Sequence, residues 1–338
     1  MKILLIGGTG TISTAVTQRL CRSGHEVFLL NRGTRTDCQP ENVRLLRCDI
    51  SDEAAAAALL SGLSFDAVGE FIGFVPAQVE RDYRLFRGKT KQYIYISSAS
   101  AYQKPISDPV ITESTPLSNP YWQYSRDKIA CEEYLMKMYR ETGFPVTIVR
   151  PSHTYDERSV PLGVHGSGGS WQVLKRMQEG KPVIIHGDGT SLWTVTHNSD
   201  FAKAYCGLAG NIHAIGQAYH ITSDECLTWN QIYQIIADAL GVRLNAVHIP
   251  SDFLAAVSDY DLEGSLIGDK ANTVLFDNSK IKRAVPDFQA TVRADQGIRN
   301  TVQHILAHPE LQHEDPEFDQ WCDRIIEKYQ HLKEELAG

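Results

Sequence analysis

Hydrophobic positions along the 338-residue chain change rhythm near its middle. Up to Arg150, short β-type runs alternate with stretches of helical spacing. The runs Ile3–Ile6, Glu26–Leu30, Val43–Cys48, Asp66–Ile72, Gln92–Ser97 and Val146–Arg150 predict strands. Between them Ile12, Ala15, Val16 and Leu20 recur at helical spacing, with Gly24 as the stop, and Ala54–Leu60 and Pro76–Phe86 predict two further helices. Strand–helix alternation of this kind makes a parallel sheet covered by helices on both faces.

After Arg150 the rhythm loosens. Gly163, Gly166, Gly168 and Gly169 suggest a mobile connection over 159–170, a lid or simply a long link. A helix over Trp171–Glu179 follows, then a strand pair at Val183–His186 and Leu192–Thr196, and a helix from Asp200. Tyr219–Ile221 reads as a strand and Thr228–Leu240 as a helix. Asp315-Pro316 opens a last helix with Trp321, Ile325, Tyr329 and Leu332 on one face, which docks on the body or forms a homodimer seam.

Composition narrows the function classes. The chain has 33 Lys+Arg against 41 Asp+Glu, a net charge of -8, which argues against a surface built to grip nucleic acid. It is 42% hydrophobic, too apolar for disorder, and no apolar run is long enough to cross a bilayer, so no membrane partner is expected. The run before the first glycines is too short for a signal-peptide core, which predicts a chain that opens on a structural strand. Seven cysteines (Cys21, Cys38, Cys48, Cys131, Cys206, Cys226 and Cys322) are scattered without a CxxC pair. They read as reduced thiols in a cytoplasmic protein, with neither a disulfide frame nor a zinc site.

Gly7-Gly8-Thr9-Gly10-Thr11-Ile12-Ser13 lies between the first strand and the first helix. Glycines there let backbone approach a pyrophosphate, whose charge the helix N-terminus favours. Gly7, Gly10, Thr11 and Ile12 are therefore expected at a dinucleotide. The second strand ends in Leu30-Asn31-Arg32-Gly33, with Arg35 close by, where NAD-binding folds commonly carry a carboxylate for the ribose hydroxyls. With Asn31, Arg32 and Arg35 there instead, a 2′-phosphate is suited and NADP is favoured over NAD. Asp49 and Ile50, after the third strand, are the expected neighbours of the adenine.

Tyr124-Ser125-Arg126-Asp127-Lys128 puts a phenol and an ammonium at i and i+4 on one helix face. It follows Tyr95-Ile96-Ser97-Ser98-Ala99-Ser100-Ala101-Tyr102, a strand ending in clustered hydroxyls, and shares the chain with the glycine loop. With Val149-Arg150-Pro151 and Gly187-Asp188-Gly189 followed by His197 and Asp200, these motifs resemble the extended short-chain dehydrogenases/reductases of the NAD-dependent epimerase/dehydratase type. The resemblance covers nearly the whole chain. It implies an α/β fold: a Rossmann-type doubly wound parallel sheet with a smaller, partly interleaved C-terminal α/β substrate domain. Residues 1–152 plus about 190–222 would hold the cofactor, and about 153–189 plus 223–338 would shape the substrate pocket.

Carried over motif by motif, the resemblance makes Ser98 the catalytic hydroxyl, Tyr124 the base and Lys128 the lysine that serves both catalysis and the nicotinamide ribose. A neighbouring ammonium would favour the Tyr124 phenolate. Family 4,6-dehydratases follow the catalytic hydroxyl with an Asp-Glu pair, whereas this chain has Ala99-Ser100, as sugar-nucleotide 4-epimerases have a small residue then a hydroxyl. Ser100, His153 and Trp193 fall at substrate positions. Trp193 stands where those epimerases usually have an arginine for the diphosphate, and His153 where asparagine is common. His165 and Trp171 are weaker pocket residues, Glu70 and Phe71 end the fourth strand near the meeting of cofactor and substrate, and His197 buttresses the fold. The expected activity is an NAD(P)-dependent epimerase or oxidoreductase on a carbinol of a sugar or nucleotide sugar. The alternatives are a dehydrogenase/reductase of a non-nucleotide hydroxylated substrate, or a non-catalytic cofactor-binding or RNA-associated protein.

Overall fold

The structure is a computed structural model that describes residues 1–35, 40 and 42–337; Cys38 lies outside the described residues. At its centre, among the described residues, is a seven-stranded sheet of β1 (Lys2–Ile6), β2 (Glu26–Asn31), β3 (Arg44–Arg47), β4 (Ala67–Glu70), β5 (Tyr93–Ile96), β6 (Val146–Pro151) and β7 (Ala218–Ile221). The spatial order is 7-6-5-4-1-2-3 and every pairing is parallel. Strand order reverses between β1 and β4, which opens a crevice at the carboxyl ends of these strands. The six strands expected before Pro151 all form, three of them longer by one residue and three shorter by two or three.

Alternation along β1 shows why both faces need helices. Ile3 and Leu5 point to one cluster, with Val16 and Leu20 of α1 (Thr11–Arg22) and Phe201, Tyr205 and Leu208 from a later helix. Leu4 and Ile6 point to the other. There they meet Ala56 of α2 (Glu53–Leu59), Val79, Leu85 and Phe86 of α3 (Pro76–Phe86) and Leu135 of α4 (Gln123–Thr142).

A third cluster collects the rest of the chain. It joins α5 (Trp171–Gln178), α7 (Trp229–Leu240), α8 (Ser251–Val257), α10 (Ala294–Ala307) and α11 (Pro316–Ala337) around Trp193 and Trp229. The sheet-covering helix α6 (Asn198–Leu208) and the short α9 (Ser279–Ala284) complete the set. In α11, Phe318, Trp321 and Ile325 are buried while Leu332 is exposed, so the apolar face docks along the first part of the helix. No helix among the described residues is long and apolar enough to cross a membrane.

Two expectations need correction. Val183–His186 and Leu192–Thr196 do not pair with each other: Val183–His186 runs parallel to Ala246–Ile249, Leu192–Trp193 antiparallel to Leu227–Thr228, and Val195–His197 parallel to His153–Tyr155. Gly187 and Gly189, at φ 61 and 73, turn the chain away from a hairpin, and the Asn230 side chain occupies the side of Gly189 that a Cβ would need. Nor is 159–170 a loose lid. Val160, Leu162 and Val164 are buried, and a Cβ on Gly163 would stand 2.4 Å from His186 Nδ1. Its glycines at 163 and 166 serve close packing, the second against Asp315 and Phe318.

Candidate active site

The loop after β1 is pinned from below. Gly8 has φ +87, and a Cβ there would come within 2.4 Å of Leu29 Cδ2. Thr14 and Thr17 donate to the carbonyls of Gly10 and Gly8, and the Ser13 hydroxyl accepts from Gly10 N–H at 2.8 Å. Asn31 ties this loop to the next: its Nδ2 donates to Gly7 O (3.0 Å) and its Oδ1 accepts from Gly33 N–H (2.8 Å).

Around this loop lies a cavity of about 480 Å³ bordered by Gly7, Gly10, Asn31, Arg32, Arg35, Asp49 and Ile50. Thr11 and Ile12 open α1 outside that lining, Thr11 giving its carbonyl to Asn198 and Ile12 leaning on the core. Asp49 is exposed, and the Ser51 N–H and hydroxyl, with Arg32 and Arg81 nearby, hold its carboxyl below the usual range. Ile50 is buried. Bare glycine backbone, an α1 first turn without an acidic side chain, and two arginines on the rim suit a dinucleotide diphosphate.

A second cavity, of about 380 Å³, brings together Ser98, Ser100, Tyr124, His153 and Trp193 from β5, α4 and the chain beyond β6. Ser125 Oγ donates to Ser100 Oγ (2.8 Å), which shares a 2.8 Å bond with Ser98 Oγ, and Ser100 N–H also donates to Ser98 Oγ. Ser100 thus orients Ser98 while itself bordering the cavity. Tyr124 packs on Trp122, with ring centroids 4.9 Å apart.

The expected lowering of the Tyr124 phenol by Lys128 does not occur. Burial pushes the phenol up, opposed by the nearby Ser98 hydroxyl. The reason is where the ammonium sits: Lys128 Nζ donates to Gly73 O (2.7 Å) and Ile96 O (2.8 Å) and lies 5.7 Å from the Tyr124 ring centre. Lys128 is buried outside the lining of both cavities, and burial lowers it to about 8.

His153 is pushed down to about 3 by burial, with Lys270 and His165 adding to the effect, so it is neutral at pH 7. Trp193 is both core and wall: it stacks on Trp229 at 5.7 Å while bordering the cavity. His165 turns its Nδ1 to Gly166 O, and His197 caps α6 through Ser199. Arg150 forms a buried two-pronged pair with Glu132 at 2.9 and 2.6 Å. Glu70 is fully buried; Ile72 N–H donates to its Oε1 at 2.5 Å, Asp82 is its neighbour, and burial first, then Asp82, raise its carboxyl well above the usual range.

Lys104, Asp269 and Lys270 also border the second cavity, and no motif pointed to them. Lys104 lies just past Tyr102, so a cation in the loop after a hydroxyl-ended strand was the available signal. Asp269 and Lys270 end a π-helical stretch, Glu263–Lys270, with no periodicity to mark it.

The model of the NAD dependent epimerase/dehydratase family matches residues 3–222. The chain belongs to this family. It is an enzyme of the extended short-chain dehydrogenase/reductase type with the family's Rossmann-like α/β fold. Among curated relatives it is 27% identical over 289 residues to 2'-dehydrokanamycin reductase of Streptomyces kanamyceticus, covering 86% of this chain and 80% of that protein. It is 26% identical to chloroplast stem-loop binding protein of 41 kDa b of Arabidopsis thaliana, over 71% of this chain and 63% of the relative. The fold matches UDP-glucuronic acid 4-epimerase from Bacillus cereus, solved with UDP-glucuronic acid and NAD, at a TM-score of 0.73 and 19% identity, over 91% of this chain and 99% of the other.

Proposed function

We propose that this family member is an NAD(P)-dependent oxidoreductase or epimerase acting on a carbinol of a sugar or sugar nucleotide, with Ser98 and Tyr124 meeting the reacting oxygen. The observation that carries the reading is that Ser98 and Tyr124 border one cavity while Phe74, whose ring lies 6.5 Å from that of Tyr124, borders the glycine-loop cavity. The bound dinucleotide supplies hydride acceptance and return. Tyr124, protonated at rest, gives its phenol proton to the oxygen as a carbonyl is reduced and takes it back as the carbinol is oxidised, while Ser98 holds the oxygen. The Ser125–Ser100–Ser98 chain fixes that hydroxyl, and Lys128 braces the two carbonyls beneath Tyr124.

In this reading Gly7, Gly10, Thr11 and Ile12 face the diphosphate with backbone, Asn31, Arg32 and Arg35 the ribose edge, and Asp49 and Ile50 the adenine. The two arginines favour NADP. Residues 1–152 with about 190–222 form the cofactor domain, and the remainder the substrate domain. Absence of an Asp-Glu pair after Ser98 supports redox or epimerisation over dehydration. A reductase of a non-nucleotide substrate is the second reading, favoured by Trp193 at the position expected to hold a diphosphate-binding arginine.

The test is product analysis with UDP-glucose and UDP-glucuronic acid alongside mass spectrometry of the dinucleotide retained on purification. Inversion at C4 supports the epimerase, and net oxidation or reduction the second reading. Tyr124→Phe is expected to lower turnover about 10²–10⁴-fold with the fold intact. Unchanged turnover in that variant would overturn the assignment.

A further inference from the structure

Lys104 is 4% exposed and Lys270 9%, and both border the cavity that holds Ser98 and Tyr124. Lysines this deeply buried are normally paired. Among the described residues, neither ammonium has a hydrogen bond or ion pair within the protein. Neither nitrogen is sealed from solvent, and both residues line the cavity.

Both residues are held firmly from behind. Lys104 N–H donates to Ser118 O at 2.7 Å. The Lys270 carbonyl accepts from Trp229 Nε1 at 3.0 Å and His186 Nε2 at 3.2 Å. Asp269 borders the same cavity; burial pushes its carboxyl up to about 6, and both lysines oppose that rise. Two ammonium groups against one carboxylate leave the lining cationic, and His153 adds no charge at pH 7.

We infer that Lys104 and Lys270 form an anion subsite, and that the substrate carries a phosphate or carboxylate group that docks on these two ammonium groups. The inference rests on the proposed reading of this cavity as the substrate site. It accounts for Trp193: the cation expected at that position is supplied from two other places in the chain. Charge-assisted bonds to an oxyanion complete the bonding that each buried lysine lacks. The same wall disfavours a substrate bearing several ammonium groups.

Equilibrium binding to the NAD-saturated protein tests this with matched probes: glucose 1-phosphate and glucuronate each against glucose, and UDP against uridine. In at least one pair the anionic member is expected to bind about tenfold tighter or more, and the pair that responds separates phosphate from carboxylate. Lys104→Met and Lys270→Met should each remove most of that advantage while NAD affinity and the neutral probe's binding hold. Anionic and neutral members binding alike in every pair, weakly or not at all, would overturn the subsite, and this comparison needs no variant to fold. An advantage that survives in the folded double variant would overturn it too. No turnover enters the readout. A chain that binds the anion but is indifferent to Tyr124→Phe would therefore lose the proposed activity and keep the subsite.

Discussion

The two cavities are built from different materials. The glycine-loop cavity is mostly backbone: turns at Gly7, Gly8 and Gly33, a helix start, and a side chain, Asn31, that ties loops together, with Arg32 and Arg35 on the exposed rim and Arg81 buried and paired with Asp82. The Ser98–Tyr124 cavity is made of side chains delivered from distant stretches, and its charges are buried. Backbone cavities fail by steric change and tolerate altered rim charge; side-chain cavities do the reverse.

The largest test of that contrast is Gly8→Val. A β-branched side chain at φ +87, with its Cβ driven onto Leu29, is expected to cost about 3–4 kcal/mol in urea unfolding and to abolish dinucleotide binding. Valine accommodated with unchanged binding would break the claim that this cavity is a backbone device.

Smaller, and opposite in sign across the molecule, is the response to pH. His186, packed on Trp229 and hydrogen-bonded to the Lys270 carbonyl, is lowered by burial to about 4, while the unfolded chain takes up that proton from about 6.5 downward. Its contribution is therefore complete above pH 6.5 and is lost as pH falls toward about 4, a loss on the order of 3 kcal/mol. Glu70 at the end of β4 works the other way. Its raised carboxyl keeps a proton in the fold that the unfolded chain releases above about pH 4.5, so stability falls as pH rises. Urea midpoints from pH 4 to 8.5 should show His186→Phe removing the loss of stability toward acid and Glu70→Gln removing the fall that begins above about pH 4.5. One variant removing both would show that the two regions do not titrate independently.

The same division explains what could be read in the chain. β1, α1, Gly7–Ser13 and the i, i+4 spacing of Tyr124 and Lys128 are local: spacing and residue type carry them. Pairing of Val183–His186 with Ala246–Ile249 was out of reach, because each is a short apolar run that would suit several partners. Helix α10 was missed for a related reason. It is largely polar, and Gly297, which reads as a breaker, is needed because a Cβ would meet Tyr155 Oη at 2.0 Å. Lys104 and Lys270 were invisible because a lysine advertises a surface until tertiary packing buries it. The placement of Lys128 teaches the same: its spacing put it on the Tyr124 face, but carbonyls from two other segments decide where the ammonium points.

The smallest effect belongs to the rim of the first cavity. Arg32 is exposed there, within reach of Asp49 electrostatically, and its charge faces water as well as any bound phosphate. Exposed pairs are worth about 0–1 kcal/mol and weaken with salt, whereas a two-pronged contact to a ribose phosphate reaches somewhat further. Arg32→Glu removes a cation and places a carboxylate at the end of β2, where ribose hydroxyls accept one. The ratio of NADP to NAD affinity should then fall about tenfold, more at low salt than at high, with unfolding unchanged. A ratio that does not move would assign the 2′-phosphate preference to Arg35 or deny it to this rim. A loss as large as that expected from burying an uncompensated charge would show that Arg32 is not a rim residue at all, and with it the contrast between the two cavities would fail on its electrostatic side.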